Sequence, residues 1–398
     1  MFPQVDTKSD WLQWVRLALF GVYFYVCVVH GEANTPGVSV GDTRRPLVIG
    51  HRGSSGVLPE HSLPAYRLAI EQGADYIECD ICVTKDLQLV CLHESWLGSV
   101  TDSDRVFVDR PKPTHYILLH DINVTDHFTF DFTLQELRRL RLRQRRSYRD
   151  PAYNGRFNIP TFDEFVALVK SANRTVGIYP ELKDPDLVNG QDVLRAANTT
   201  LEELVAASLT RHGYTQPHHA CMVQSFRTPT LRRFTSLNGV RLIRLTKSME
   251  PTLQQLRDWA ELAYGIGIAK DLLTTIDADG NIAGETGVVA RAHSVGLVVH
   301  VFTFRNDEKL PWNFHQDANE ELAYYIDQLH IDGLFADFPV TLSRFLACRE
   351  RRGEKDAAAS EGVSWTQGVV VVCLALYPLY HVILYPLYHF ILYCVVRR

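Results

Sequence analysis

Two histidines, one arginine and a group of acidic residues sit close together near the start of the folded part of this chain. Residues 47–94 place His51-Arg52-Gly53 after one strand-like run, Glu78-Cys79-Asp80 inside a second and His93-Glu94 after a third. Side chains of a strand alternate faces, so Glu78 and Asp80 point the same way. Two inward carboxylates are costly unless they bind or pair with a cation. Glu181, in the run YPELK, adds a third. An all-oxygen set selects a hard divalent ion, Mg²⁺ or Ca²⁺.

His51 and His93 carry the side-chain type that titrates nearest neutral pH. Cleaving a phosphodiester needs one group to take a proton from the nucleophile and another to give one to the leaving alkoxide. Two histidines beside a cation supply both. Arg52 and Lys183 add positive charge where the phosphoryl group gains negative charge. Gly53 and Gly56 allow a close backbone approach. The other fourteen of the sixteen histidines are read as packed or surface residues.

Positioning such a set requires several strand ends on one face. Short β-rich runs at 47–50, 76–83, 88–92, 175–179, 220–224, 241–245, 265–269, 297–302 and 333–335 alternate with helical patterns. Several are almost continuously apolar, as parallel strands covered by helices are. The site residues fall at the ends of separate strands, which points to a (β/α)8 barrel rather than an open sheet. Ser62 reads as a helix cap, with Gly73 closing that helix. Thr133-Leu-Gln-Glu136 and Thr161-Phe-Asp-Glu164 read as capping boxes.

Segment 98–160 is too long for an ordinary barrel loop and reads as an insertion beside the catalytic face. It carries seven arginines in the twelve residues from Arg138 to Arg149. The plain reading is a solvated helix face with Leu134, Leu137 and Leu140 packed inward. The sharper one is contact with phosphate headgroups.

The ordered motifs resemble the glycerophosphodiester phosphodiesterases. That family carries HRG-x-x-G-x-x-PEN-T, E-x-D, H-D or H-E, and E-x-K; this chain reads HRGSSGVLPEHS, ECD, HE and ELK. Further stretches, including YNGRFNIPTFDEF, QSF, VHVFTFRND and DGLFADFP, extend the likeness over roughly residues 47–346. The resemblance implies a barrel at 47–347, and hydrolysis to glycerol 3-phosphate and an alcohol with the glycerol 2-hydroxyl as internal nucleophile. It implies His51 and His93 as acid and base, in an order the residues leave open, with His51 favoured as the acid. Glu78, Asp80 and Glu181 would be metal ligands, Arg52 and Lys183 substrate contacts, and Glu60 a supporting residue. The chain departs from the family at His61-Ser62, in place of Asn-Thr. Phe302 and Phe304 stand where some relatives carry Trp or Tyr, leaving the substrate-contacting aromatic open.

Residues 1–33 contain an uncharged apolar run at 17–29 and read as a signal peptide or N-terminal anchor, followed by a linker at 34–46. A polar linker at 348–367 leads to 29 apolar residues at 368–396, longer than the ~20 a bilayer needs. That tail reads as a transmembrane span or a lipid-anchor signal. Of eight cysteines, three lie in these runs; five remain for the folded part, an odd number that cannot pair completely, with one bridge open in an oxidising compartment. Sequons at Asn123, Asn173 and Asn198 fit the secretory route. The barrel is therefore expected to be lumenal or extracellular and membrane-tethered. A net charge of −5 gives no reason to expect a nucleic-acid partner. Two other functions share these features: a lysophospholipase D acting on acylated substrates, and a catalytically silent surface protein.

Overall fold

The computed structural model describes residues 45–351; the expected leader at 1–33, most of both linkers and the apolar tail at 368–396 lie outside them. No helix among the described residues is long and apolar enough to cross a membrane.

Eight parallel strands close into a barrel: β1 (Leu47–Gly50), β2 (Tyr76–Val83), β3 (Gly177–Leu182), β4 (Met222–Ser225), β5 (Arg241–Thr246), β6 (Gly265–Ala269), β7 (Val298–Phe304) and β8 (Gly333–Ala336). Consecutive strands pair in order around the ring. β8 returns to β1 with Ile49 opposite Phe335, and β1 pairs with β2. The expected (β/α)8 barrel is thus the observed fold.

One of the nine expected runs behaves differently. Leu89–Cys91 pairs antiparallel with β2, Ile81 facing Cys91. Only residues 84–88 join the two, whereas a parallel crossover needs about a dozen. The chain must turn straight back, so His93 reaches the site from a return strand rather than from a barrel strand's end.

β2 is buried along nearly its whole length, and every residue of β3 is buried, as strands covered on both faces must be. Ile49, Tyr179, Met222, Ile243 and Phe335 fill the barrel interior. That plug forms an apolar floor beneath the polar strand ends.

Local signals behave as sequence chemistry dictates. Ser62 caps the helix Leu63–Glu71, its side chain accepting from the Ala65 amide. Gly73, at φ +89°, ends that helix in a conformation glycine enters freely. Thr133 and Thr161 both form capping boxes.

Within 98–160, Phe107, Phe132, Leu137, Leu140, Leu142 and Ile159 build a satellite core. A hairpin, Thr114–Ile117 with Ile122–Thr125, projects from it. The arginine-rich run is not one helix face. The helix there covers only Leu134–Leu137, and Arg138 onward is irregular. Leu137 and Leu140 are buried as expected, while Leu134 is partly so.

Candidate active site

The turn after β1 sets the site's geometry. Arg52 takes a left-handed φ of +60° and Gly53 a φ of +82°. A β-carbon on Gly53 would lie 2.6 Å from the Ala65 carbonyl carbon, so the turn presses on the following helix and requires glycine. This twist aims the Arg52 amide at Glu78, whose Oε2 accepts at 2.6 Å. Gly56 is equally constrained: a β-carbon there would strike the Phe338 ring.

Glu78, Asp80 and Glu181 present ligand atoms that all lie within 4.8 Å of one another. All three are buried. Asp80 Oδ1 is buried with no hydrogen-bond partner. Burial and the neighbouring Asp80 push Glu78 well above the ordinary carboxylate range. Glu181 is pushed up to about 8 by burial, with Asp80 adding to the rise and Lys183 opposing it. Burial also acts to raise Asp80, but Lys183 and the two histidines His93 and His61 outweigh it and hold it low. Lys183 Nζ is 2.9 Å from Glu181 and 3.9 Å from Asp80. Three crowded carboxylates with an orphaned oxygen form a set that could hold a hard divalent cation.

The two catalytic candidates are mounted alike. His51 Nδ1–H donates to Asp337 Oδ1 at 2.6 Å, and His93 Nδ1–H donates to Glu94 Oε1 at 2.6 Å. In both rings Nε2 has no partner among the described residues and is left for a reactant. Burial and Arg52 lower His51 to about 4, with Asp337 opposing. Burial, Arg52 and Lys183 lower His93 well below the usual imidazole range. Neither histidine stands open to solvent: His51 is buried and His93 half-buried.

The carboxylates behind the histidines are neutralised by arginines. Asp337 Oδ2 accepts from Arg149 at 2.6 Å and from Arg305 at 3.0 Å. Glu94 accepts from Arg145 Nη1 at 2.6 Å, and the same guanidinium reaches Glu60 at 2.8–3.0 Å. Glu60 in turn accepts from Arg52 at 3.1 and 3.2 Å. Two arginines of the basic run are therefore neither a solvated face nor free for headgroups. They turn inward because buried carboxylates demand cations.

All eight site residues expected from the sequence thus gather at one end of the barrel. Asp337, Arg145, Arg149 and Arg305 were missed. Asp337 lay inside the quoted run DGLFADFP, but nothing about its spacing reveals its partner. Two histidines read as ordinary are here as well. His61 is wholly buried, Nε2 2.8 Å from Asp80 Oδ2 and Nδ1 2.7 Å from the Tyr66 hydroxyl. The departure from Asn-Thr thus places an imidazole against a candidate metal ligand. His120 lines the cavity from the hairpin tip.

That cavity has a volume of about 180 Å³ and opens at the carboxyl ends of the strands. Phe302 lines it, while Phe304 is buried against Tyr325 instead. Residues 51–341 match the model of the glycerophosphoryl diester phosphodiesterase family. The chain belongs to that family. It is 37% identical to glycerophosphodiester phosphodiesterase GDPD6 of Arabidopsis thaliana, over 76% of this chain and 86% of the relative. A glycerophosphodiester phosphodiesterase of Haemophilus influenzae is 29% identical over 75% of this chain and 89% of its own. The fold is similar to a phosphodiesterase of Oleispira antarctica solved with sn-glycerol-3-phosphate, TM-score 0.53 at 22% identity, covering 76% of this chain and 97% of the other. A Parabacteroides distasonis glycerophosphoryl diester phosphodiesterase aligns with TM-score 0.50 at 16% identity, over 77% and 88%. The chain is a glycerophosphodiester phosphodiesterase of this family.

Proposed function

We propose that the enzyme hydrolyses glycerophosphodiesters to glycerol 3-phosphate and an alcohol, with a divalent cation held by Glu78, Asp80 and Glu181. The observation that carries the metal assignment is the buried carboxylate triad with its orphaned Asp80 oxygen. The bound cation, Mg²⁺ or Ca²⁺, would supply Lewis-acid stabilisation of phosphoryl and glycerol oxygens.

The chain's own residues do the rest. His93 Nε2 takes the proton of the glycerol 2-hydroxyl as that oxygen attacks phosphorus. His51 Nε2 gives a proton to the departing alkoxide as its bond to phosphorus breaks. Water then opens the cyclic phosphate with the two roles exchanged. Holding nucleophile and phosphorus in one substrate supplies much of the rate. Arg52 and Lys183 meet the charge on the phosphoryl oxygens, and the anion in turn favours protonation of His51.

The lysophospholipase D alternative uses the same site, so only the choice of substrate separates the two. A silent protein has no need of a complete site. Assaying the metal-loaded protein with glycerophosphocholine, glycerophosphoinositol and lysophosphatidylcholine tests the choice. Release of glycerol 3-phosphate supports it; turnover of the lysolipid alone would replace it.

We also propose a lumenal or extracellular, membrane-tethered barrel. The three sequon asparagines, Asn123, Asn173 and Asn198, are all exposed, as glycan acceptors must be. Cys79 and Cys91, both buried free thiols, bring their sulfurs within 2.7 Å, the pair a single bridge would use in an oxidising compartment. Deglycosylation that shifts the mass of membrane-fraction protein supports this placement. Glycan-free protein in the cytosolic fraction contradicts it.

A further inference from the structure

The cations lining the cavity are not alike. Arg52 is paired with Glu60, Lys183 with Glu181, and Arg305 with Asp337 and Glu308. Lys247, just past β5, has no carboxylate partner among the described residues. It is half-buried, and burial together with Lys183 lowers its pKa. Its Nζ donates to His120 Nδ1 at 3.3 Å and lies 5.3 Å from the Phe226 ring centroid. His120 comes from the tip of the inserted hairpin, so barrel and insertion build this wall together.

A half-buried ammonium with no counter-ion is costly, and a bound ligand relieves that cost. The wall presents hydrogens, not acceptors. Lys247 keeps two N–H groups for a ligand. His120, accepting at Nδ1, is the tautomer that donates from Nε2. The carboxylates that act on Lys247 are already engaged: Glu181 by Lys183, Glu94 by Arg145 and His93, and Asp184 by the Ser95 hydroxyl. The aromatic face that would otherwise attract a quaternary ammonium, Phe226, already carries Lys247.

Position around the ring decides which part of the substrate lies here. The carboxylate triad on β2 and β3 and His51 after β1 mark where the glycerol hydroxyl and phosphorus must sit. Phe226 after β4, Lys247 after β5 and His120 at the hairpin tip line the other part of the same cavity. That is the place of the leaving alcohol, the part that varies between glycerophosphodiesters.

We propose that Lys247 and His120 form the leaving-alcohol subsite and select a hydroxyl-rich, acceptor-bearing alcohol such as a polyol over a cationic one such as choline. This rests on the phosphodiesterase reading above and adds its specificity.

The test measures kcat/KM of the metal-loaded full chain on glycerophosphoinositol, glycerophosphoglycerol and glycerophosphocholine. The two polyol diesters should exceed the choline diester by about tenfold, the size of one well-placed polar contact. Lys247→Met should bring the ratio near one, and Lys247→Glu should invert it. His120→Ala should reduce the ratio, because it frees the lysine's anchor. Preference of the wild type for glycerophosphocholine overturns the proposal whether or not any variant folds. So does a Lys247→Met variant that loses the same factor on all three substrates, which would place Lys247 on the shared phosphate. Should the wild type hydrolyse none of the three, the phosphodiesterase reading itself fails, a result distinct from either.

Discussion

Asp337 Oδ1 lies 2.6 Å from His51 Nδ1, although 286 residues separate the two in sequence. Barrel closure makes the contact: β8 pairs with β1, and each residue follows its strand directly. The carboxylate fixes the ring and its tautomer, leaving Nε2 toward the cavity. Asp337→Asn preserves shape but removes the charge that favours imidazolium. Its kcat should fall on the order of 10²-fold, with KM little changed. An unaltered kcat would show that His51 works without this support.

The two histidines differ in what rescues their loss. His51→Ala and His93→Ala should each lower turnover of a glycerol diester by about 10²–10⁴-fold. A nitrophenyl ester of glycerol phosphate has a leaving group that needs no protonation. On it the His51 variant should recover most of its rate and the His93 variant should not. Recovery of the His93 variant alone would exchange the roles.

Cation removal has a readout besides activity. The triad is acidic, buried and short of one partner at Asp80 Oδ1. Exhaustive chelation should lower the melting temperature and abolish turnover, and Mg²⁺ or Ca²⁺ should restore both. In Asp80→Asn the thermal shift on adding either ion should be largely lost. An equal shift in that variant would place the ion elsewhere.

Arg145 holds together two pieces that never touch in sequence. It bridges Glu60, which supports Arg52, and Glu94, which supports His93. Arg145→Met leaves two buried carboxylates short of a cation, a loss of about 3 kcal/mol or more. Lower stability in urea together with a reduced kcat is expected; Arg145→Lys restores charge but not the fork, and should recover only part. A Met variant of native stability and rate would make this a passive surface pair.

What was legible in the sequence follows from how locally each feature is encoded. Glu78 and Asp80 share a face because strand period is two, and Ser62 caps because its hydroxyl reaches the Ala65 amide. Such signals span only a few residues. Arg145, Arg149 and Asp337 depend on folding of the insertion and closure of the ring, so an arginine-rich run reads as a solvent face until buried carboxylates are placed beside it. His61 is a related case. Beside Ser62 it looked like a loop substitution, and only the left-handed turn at φ +60° brings it to Asp80. The run 88–92 had the composition of a strand but not its direction, which the five-residue turn decides.

His300 makes a pH prediction independent of the cation. It is buried on β7, with Nδ1 2.8 Å from the Tyr179 hydroxyl. Burial lowers it from 6.5 to about 4, with Asp332 opposing. Well above pH 6.5 the ring is neutral both folded and unfolded, and it imposes no pH dependence. Between 6.5 and about 4 the unfolded chain takes up a proton that the folded chain refuses, so stability falls as pH falls. From pH 7 to pH 5 this one group accounts for about 2 kcal/mol. His300→Gln keeps a hydrogen-bonding side chain but cannot titrate. Urea unfolding at the two pH values should show a smaller acid loss in the variant by about that amount. Parallel pH profiles for the two proteins would mean that His300 takes up its proton in the folded state as readily as in the unfolded one.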